Sequence, residues 1–480
     1  MFEKLLEINK FDNIGITGLT NELISFCVSN INKKTKRDIL VVTSFIYEAN
    51  IIYSSLSKLN NNCYLFPMDD FLTSEALASS PDLLSIRLNT LNEISNSKNN
   101  IVITNLMGLI RYLPSKELWK NSIITIKKGD LIDKDKLVEK LINLGYTNET
   151  TVTNTGEYAS RGFVLDIYPV RDDFPVRIEF WGDEIDSIRY FDPENQRSNK
   201  EINKIIIDSY SEFINEKGIE IESKQKYLPL VTDKVVSIFD YLDNPITIIK
   251  DYNQINNSYT NLRNEIFEYD KALDEPCETN YMFNLDDINF KDTIYLLTID
   301  NLLEKQKLDK IYNLNAKNID NFKSNIDLIN EYIKNSLFHK KTVIISVNND
   351  KKIDNIKKFL EIEPKVTTID KLYNNDLNIV KEDYDEGFEL DNYILITENE
   401  LFGQKLKNVN YKNKLKIGSK IKDINNLSIG DYVVHINHGI GVYNGLKTLV
   451  KNGNQKDYLE ISYQGQDKLF IPVEKNRFDK

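Results

Sequence analysis

Cysteine is scarce in this chain, with three in 480 residues, Cys27, Cys63 and Cys277, set far apart. Such spacing supplies neither a disulfide framework nor the paired thiols of a zinc site, so all three read as buried thiols in a reducing compartment. Long apolar runs are missing too. Nowhere do about 18 apolar residues follow one another, and the opening MFEKLLEINKFDNIGITGL lacks a basic segment leading into an apolar one. Neither a spanning helix nor a secretory leader is expected, and the expected location is cytoplasmic. The third shortage is of positive charge: 61 Lys and Arg against 73 Asp and Glu leave a net charge of -12. A dedicated nucleic-acid binder needs a basic field to displace counterions from phosphate, so that class is disfavoured, although a local basic patch remains compatible with the balance.

What is present suffices for several packed cores. Hydrophobic residues make up 41% of the chain, and its length points to about three or four domains. The densest run of strand-forming residues lies between Gly156 and Ser198. Along Val176 to Trp181 apolar and polar residues alternate, so Val176, Ile178 and Phe180 share one face of a strand and Arg177, Glu179 and Trp181 the other. Gly182-Asp183 reads as a two-residue turn. A regular return strand then places Glu184, Asp186 and Ile188 opposite Trp181, Glu179 and Arg177. A large aromatic among fixed charges is the composition of a protein-binding surface. The competing reading has Trp181 half-buried under a neighbouring segment; a small sheet with one apolar side does not need a second core, which favours the open face.

Before that stretch, residues 1–124 read as α/β. The short apolar runs Ile39–Thr43 and Ile101–Thr104 suit strands covered on both faces, and helical spacing runs over 44–59 and 80–94, with Pro81 in a first turn. The first strand-to-helix loop is Gly15-Ile16-Thr17-Gly18-Leu19-Thr20-Asn21. A phosphate loop needs bare backbone around the phosphates, a Lys for charge and a Ser or Thr for magnesium; this loop has no Gly-Lys-Thr end, so nucleotide hydrolysis is not expected there. Residues 125–208 form a smaller α+β module, entered by an amphipathic helix over 133–144 that ends at Gly145, and residues 209–323 return to α/β signals, so the module reads as an insertion in a parent domain.

A small α/β domain follows over 324–403. Strands are expected at 342–347, 365–368 and 393–397 and a helix at 354–360, while 374–390 is acidic and poorly patterned. Residues 404–425 are Lys-rich without an apolar face and mark a linker. The last unit, 426–480, has short β runs punctuated by Gly430, Gly439, Gly441, Gly445, Gly453 and Gly465, which suits a small curved barrel. His435 and His438, three apart and without a third ligand nearby, do not make a metal site.

The motifs Gly156-Glu157-Tyr158, Arg161-Gly162, Asp166-Ile167, Arg177-Ile178-Glu179, Asp183-Glu184-Ile185 and Phe191-Asp192-Pro193 resemble the domain shared by the excision-repair protein UvrB and the transcription-repair coupling factors. Val433-Val434-His435, His438-Gly439-Ile440-Gly441, Lys468-Leu469 and Pro472-Val473 resemble the CarD-related RNA polymerase interaction domain of the coupling factors, which UvrB lacks. The resemblance runs over essentially the whole chain and corresponds to the N-terminal half of that family.

It implies an α/β multidomain chain: a UvrB-like degenerate α/β domain (1–124 and 209–323) with an inserted α+β UvrA-binding module (125–208), a small α/β domain (324–403), and a C-terminal CarD-like β-barrel (426–480). The implied function is that of an adaptor that binds stalled RNA polymerase and recruits UvrA. The implied UvrA-binding residues are Arg161, Arg177 and Trp181, the last where the family more often has Phe or Leu. Leu449 is implied in an exposed strand edge that adds to a sheet of the polymerase β subunit. The family's ATP-driven translocase is expected beyond residue 480, so ATP and magnesium are expected for that motor and no cofactor for this chain. On the residues alone, a UvrB-type repair helicase fragment and a CarD-like transcription regulator stay open.

Overall fold

The computed structural model describes residues 13–68, 81–221, 223–271, 280–297, 308–403, 430, 432–435, 439–451, 454–462 and 468–472. The chain divides into two compact units, Met1–Leu415 and Lys416–Lys480.

The centre of the first unit is a seven-stranded parallel sheet in the order Lys310–Asn313, Ile14–Thr17, Asp292–Leu297, Ile246–Lys250, Ile39–Thr43, Ile101–Asn105, Cys63–Phe66. Ile39–Thr43 is buried throughout, as a strand covered on both faces must be. Ile39 and Val41 point into one apolar layer with helices Asn21–Thr35 and Ile46–Leu59, while Leu40 and Val42 point into the other with helix Pro81–Asn96. The chain leaves this sheet after Ile101–Asn105 and returns to its middle with Ile246–Lys250. Both described thiols, Cys27 and Cys63, are buried, and burial pushes the Cys27 thiol up to about 12; Cys277 lies outside the described residues.

Within the intervening segment, six strands form a second sheet in the order Ser198–Glu201, Glu184–Phe191, Val176–Trp181, Val164–Ile167, Glu157–Arg161, Thr147–Asn148. One face packs under helix Lys134–Asn143 through Leu137, Leu141, Tyr158, Leu165, Ile178, Phe180 and Ile188. The helix starts where Asp133 accepts bonds from the amides of Asp135 and Lys136. It stops at Gly145, whose φ of 86° reverses the chain so that the amides of Gly145 and Tyr146 bond back to Ile142 and Leu141.

A third, mixed sheet runs Lys317–Asn318, Phe388–Leu390, Tyr393–Ile396, Thr342–Ser346, Leu377–Val380, Lys365–Thr367. The poorly patterned stretch 374–390 therefore holds two strands, one of them fully buried. Its pattern is hidden by Asn378, a polar residue that is buried because its side chain bonds the backbone of Tyr373 and Asp376. The expected helix at 354–360 is Asp350–Lys357, set four residues earlier at its start by the Asn349 cap. One side of this sheet joins helix Asn21–Thr35: Leu23 and Phe26 share a core with Ile344, Val380, Tyr384 and Phe388.

In the second unit, strands Tyr432–His435, Gly439–Lys451, Asn454–Ser462 and Lys468–Pro472 pair antiparallel in sequence order. The expected linker 404–425 lies outside the described residues, as do Gly453, Gly465 and His438. Among the described residues, no helix is long and apolar enough to cross a membrane.

Candidate docking surface

Hairpin Val176–Phe191 turns at Gly182-Asp183, with Gly182 at φ 63° and Trp181 opposite Glu184. Beyond that first pair the register departs from the regular one. Phe180 faces Ile185 and Glu179 faces Ser187, which leaves Asp186 as the extra residue of a β-bulge; Arg177 then faces Arg189, not Ile188. The cause is written in the return strand. Ile185 and Ile188 are three apart and both fully buried, which a two-residue period forbids unless one residue is looped out.

Arg161, Arg177 and Trp181 lie on one face of this sheet, because Ala159 pairs with Asp166, Asp166 with Arg177, and Arg161 and Trp181 are two and four residues further along their strands. Their situations differ. The Arg177 guanidinium grips the buried Asp166 carboxylate through two bonds of 2.7 and 2.8 Å, donates to the Gln196 carbonyl at 3.3 Å and lies 4.7 Å from the centre of the Phe191 ring. That carboxylate raises the pKa of Arg177 above its ordinary value. Around it Val152, Ala159, Tyr168 and Phe191 form a small core, so this sheet does carry apolar packing on its second face, contrary to the one-core expectation. Arg161 is exposed and donates to the Thr150 carbonyl at 2.7 Å. Trp181 is 82% exposed, at the end the second core does not reach. The half-buried reading of Trp181 is thereby overturned.

The Gly15–Asn21 loop forms the expected strand–loop–helix, with Thr20 capping the helix by accepting from the Leu23 amide at 3.3 Å. Its surroundings are protein. The amides of Leu314 and Ala316 donate to the carbonyls of Thr17 and Gly18 at 3.1 and 2.8 Å, and a Cβ on Gly18 would stand 2.6 Å from the Asn315 nitrogen. In the helix's first turn, Glu22 accepts from the Ser55 hydroxyl at 3.0 Å and from the amides of Asp385 and Glu386 at 3.1 and 3.3 Å. Burial, then the charge of Asp385, pushes the Glu22 carboxyl up to about 7. Glu22 puts an acidic group where a phosphate seeks a cation, and it lies one residue past the loop on which the motif was judged. Among the described residues no group of three or more His, Cys, Asp and Glu is placed to hold a metal ion.

In the second unit Leu449 sits in strand Gly439–Lys451 opposite Lys456. Tyr432–His435 covers the other edge of that strand only from Gly439 to Val442, so along Leu449 that edge meets no described strand.

The segment that holds the Trp181 sheet, residues 124–213, matches the model of the UvrB interaction domain, and residues 427–477 match that of the CarD-like/TRCF RID domain. Across nearly all of its length the chain is also similar to curated proteins of one name. It is 28% identical to the transcription-repair-coupling factor of Staphylococcus epidermidis over 98% of this chain and 45% of that protein. To the one from Bacillus subtilis it is 30% identical over 96% of this chain and 44% of that protein.

The chain is a relative of the transcription-repair-coupling factors.

It spans less than half the length of the coupling factors it matches. The two domain matches coincide with the sheet that carries Trp181 and with the strands that carry Leu449.

Proposed function

We propose that this chain is the adaptor portion of a transcription-repair coupling factor, binding stalled RNA polymerase through its terminal unit and recruiting UvrA through its inserted module. The observation that carries this reading is the union, in one chain, of a UvrB interaction domain and a CarD-like polymerase interaction domain. The module is residues 125–208 within a parent domain of 1–124 and 209–323, followed by the small domain 324–403, the linker 404–425 and the polymerase-binding unit 426–480, folded as a CarD-like barrel. Arg161, Arg177 and Trp181 form the UvrA face. The polymerase β subunit adds a strand along the edge at Leu449, where main-chain hydrogen bonds supply affinity and one apolar side chain supplies selectivity. This chain hydrolyses no nucleotide: ATP and magnesium act in a translocase that the resemblance assigns to other domains, and here the first helix turn bears Glu22 beneath residues 385 and 386.

Titration of UvrA into the chain and polymerase capture test the two ends separately. Arg177→Ala together with Trp181→Ala lowers UvrA affinity by about 2 kcal/mol or more, as truncation of interface anchors does. Leu449→Arg abolishes polymerase capture while leaving UvrA binding unchanged. Retention of polymerase by that variant would refute the edge model.

A further inference from the structure

Three chain segments meet at the open end of the module sheet, and each carries one large exposed apolar residue: Leu131 at 79%, Phe163 at 73% and Trp181 at 82% exposure. Backbone bonds hold the segments together. Leu131 forms a β-bridge with Glu184, which itself pairs with Trp181, so these three residues form one transverse row. The Ile132 amide donates to the Asp183 carbonyl at 2.7 Å, and the Ile185 amide to the Asp130 carbonyl at 3.0 Å. On the other side of the hairpin the Phe180 amide donates to Phe163 at 2.8 Å, and the Lys134 ammonium fastens the adjacent Gly162 carbonyl at 2.6 Å. Trp181 thus shares its transverse row with Glu184 and Leu131, while Phe163 stands opposite Phe180, one residue back along the strand, at the same end of the sheet.

An apolar centre with a polar rim is interface anatomy, and a fixed frame lowers the ordering cost of binding. Arg177 is different in kind. Its fork is taken up by Asp166, Gln196 and the Phe191 ring.

We propose that Leu131 and Phe163, exposed at the same end of the sheet as Trp181, are UvrA-contacting residues, and that Arg177 is a positioning residue that holds the sheet they project from. The inference rests on the UvrA-docking reading, and its occupant is UvrA because these residues are exposed at the sheet end that carries Trp181 and Arg161 inside the matched interaction domain.

The test is UvrA titration against the full chain and five variants, with the unfolding midpoint and sedimentation of each. Leu131→Ala and Phe163→Ala each weaken binding about tenfold at an unchanged midpoint, since both side chains are exposed. Asp166→Asn, which keeps the Arg177 charge but loosens its grip, weakens UvrA binding as much as Arg177→Ala; undiminished binding by Asp166→Asn would make Arg177 a direct contact and overturn its positioning role. Full UvrA affinity in the Leu131 and Phe163 variants, with affinity lost in Trp181→Ala, overturns the enlarged site and leaves the docking reading standing. No UvrA binding by the unaltered chain overturns both. A dimer of the unaltered chain that Leu131→Ala and Phe163→Ala dissociate, with UvrA affinity unchanged, assigns the patch to a second copy and overturns the proposal.

Discussion

The loop at Gly18 and the hairpin tip at Trp181 both have shapes that ligand-binding proteins use, a strand-to-helix turn and an aromatic on a sheet face, yet the fold treats them oppositely. At the loop, the chain packs against itself: residues 314–316 bond along Thr17 and Gly18, and the amides of Asp385 and Glu386 donate to the Glu22 carboxyl. At the tip, the second small core of Val152, Ala159, Tyr168 and Phe191 stops short, and Trp181 is left without cover. A motif's backbone shape therefore says where a site could form. Whether one does form depends on what the remote parts of the chain place over it.

Two aromatic truncations break this comparison most sharply if it is wrong. Phe26, buried against Tyr384 and Phe388 with ring centres 5.0 and 6.0 Å away, anchors the covered region. Phe26→Ala should cost about 3–5 kcal/mol in urea unfolding, the range for emptying a large core position. Gly18→Ala comes next, at roughly 2 kcal/mol, because its φ of 69° and the Asn315 backbone leave a side chain no room; an unchanged unfolding free energy would mean that the loop is not held there.

The third prediction concerns pH. Glu22 ionises at about 7 in the folded chain against an ordinary 4.5, so between those values the folded state holds a proton that the unfolded state has released. Its contribution is complete below pH 4.5 and is lost as the pH rises through 7, a change on the order of 3 kcal/mol. Glu22→Gln should remove that part of the decline and raise stability at pH 8; denaturation series of the two proteins from pH 5 to 8 with parallel slopes would contradict it. The groups that act on Glu22 are Asp385, Glu386 and Ser55, and Asp385 itself pairs with Lys58 at 2.9 Å. The smallest effect is expected for Trp181→Ala, which removes a larger side chain than Phe26→Ala yet should shift the unfolding free energy by less than about 0.5 kcal/mol, as exposed substitutions do.

Much of this was legible in the residues. The buried runs at Ile39 and Ile101, the stop at Gly145 and the alternation from Val176 to Trp181 all come from short-range periodicity, and all appear as strands or helix ends in the structure. The missing Lys at the loop was equally plain. The bulge was misread because a regular register was imposed on Glu184–Phe191 even though Ile185 and Ile188 conflict with it. The strand Leu377–Val380 was missed because Asn378 looks like a turn residue until its backbone partners are known.

Arg177 and Trp181 mark where sequence ends and tertiary structure begins. The sequence alone placed them on the same side of one strand, because the two-residue period of a strand is a local geometric property. It also specified the charge, the apolar pattern and the motifs that align this chain with coupling factors. It could not specify that Arg177 would be held by Asp166, eleven residues back, while Trp181 stood open in one row with Leu131. Exposure belongs to the whole packed chain: it is set by which distant segments arrive to cover a face, and only the tertiary structure brings them there.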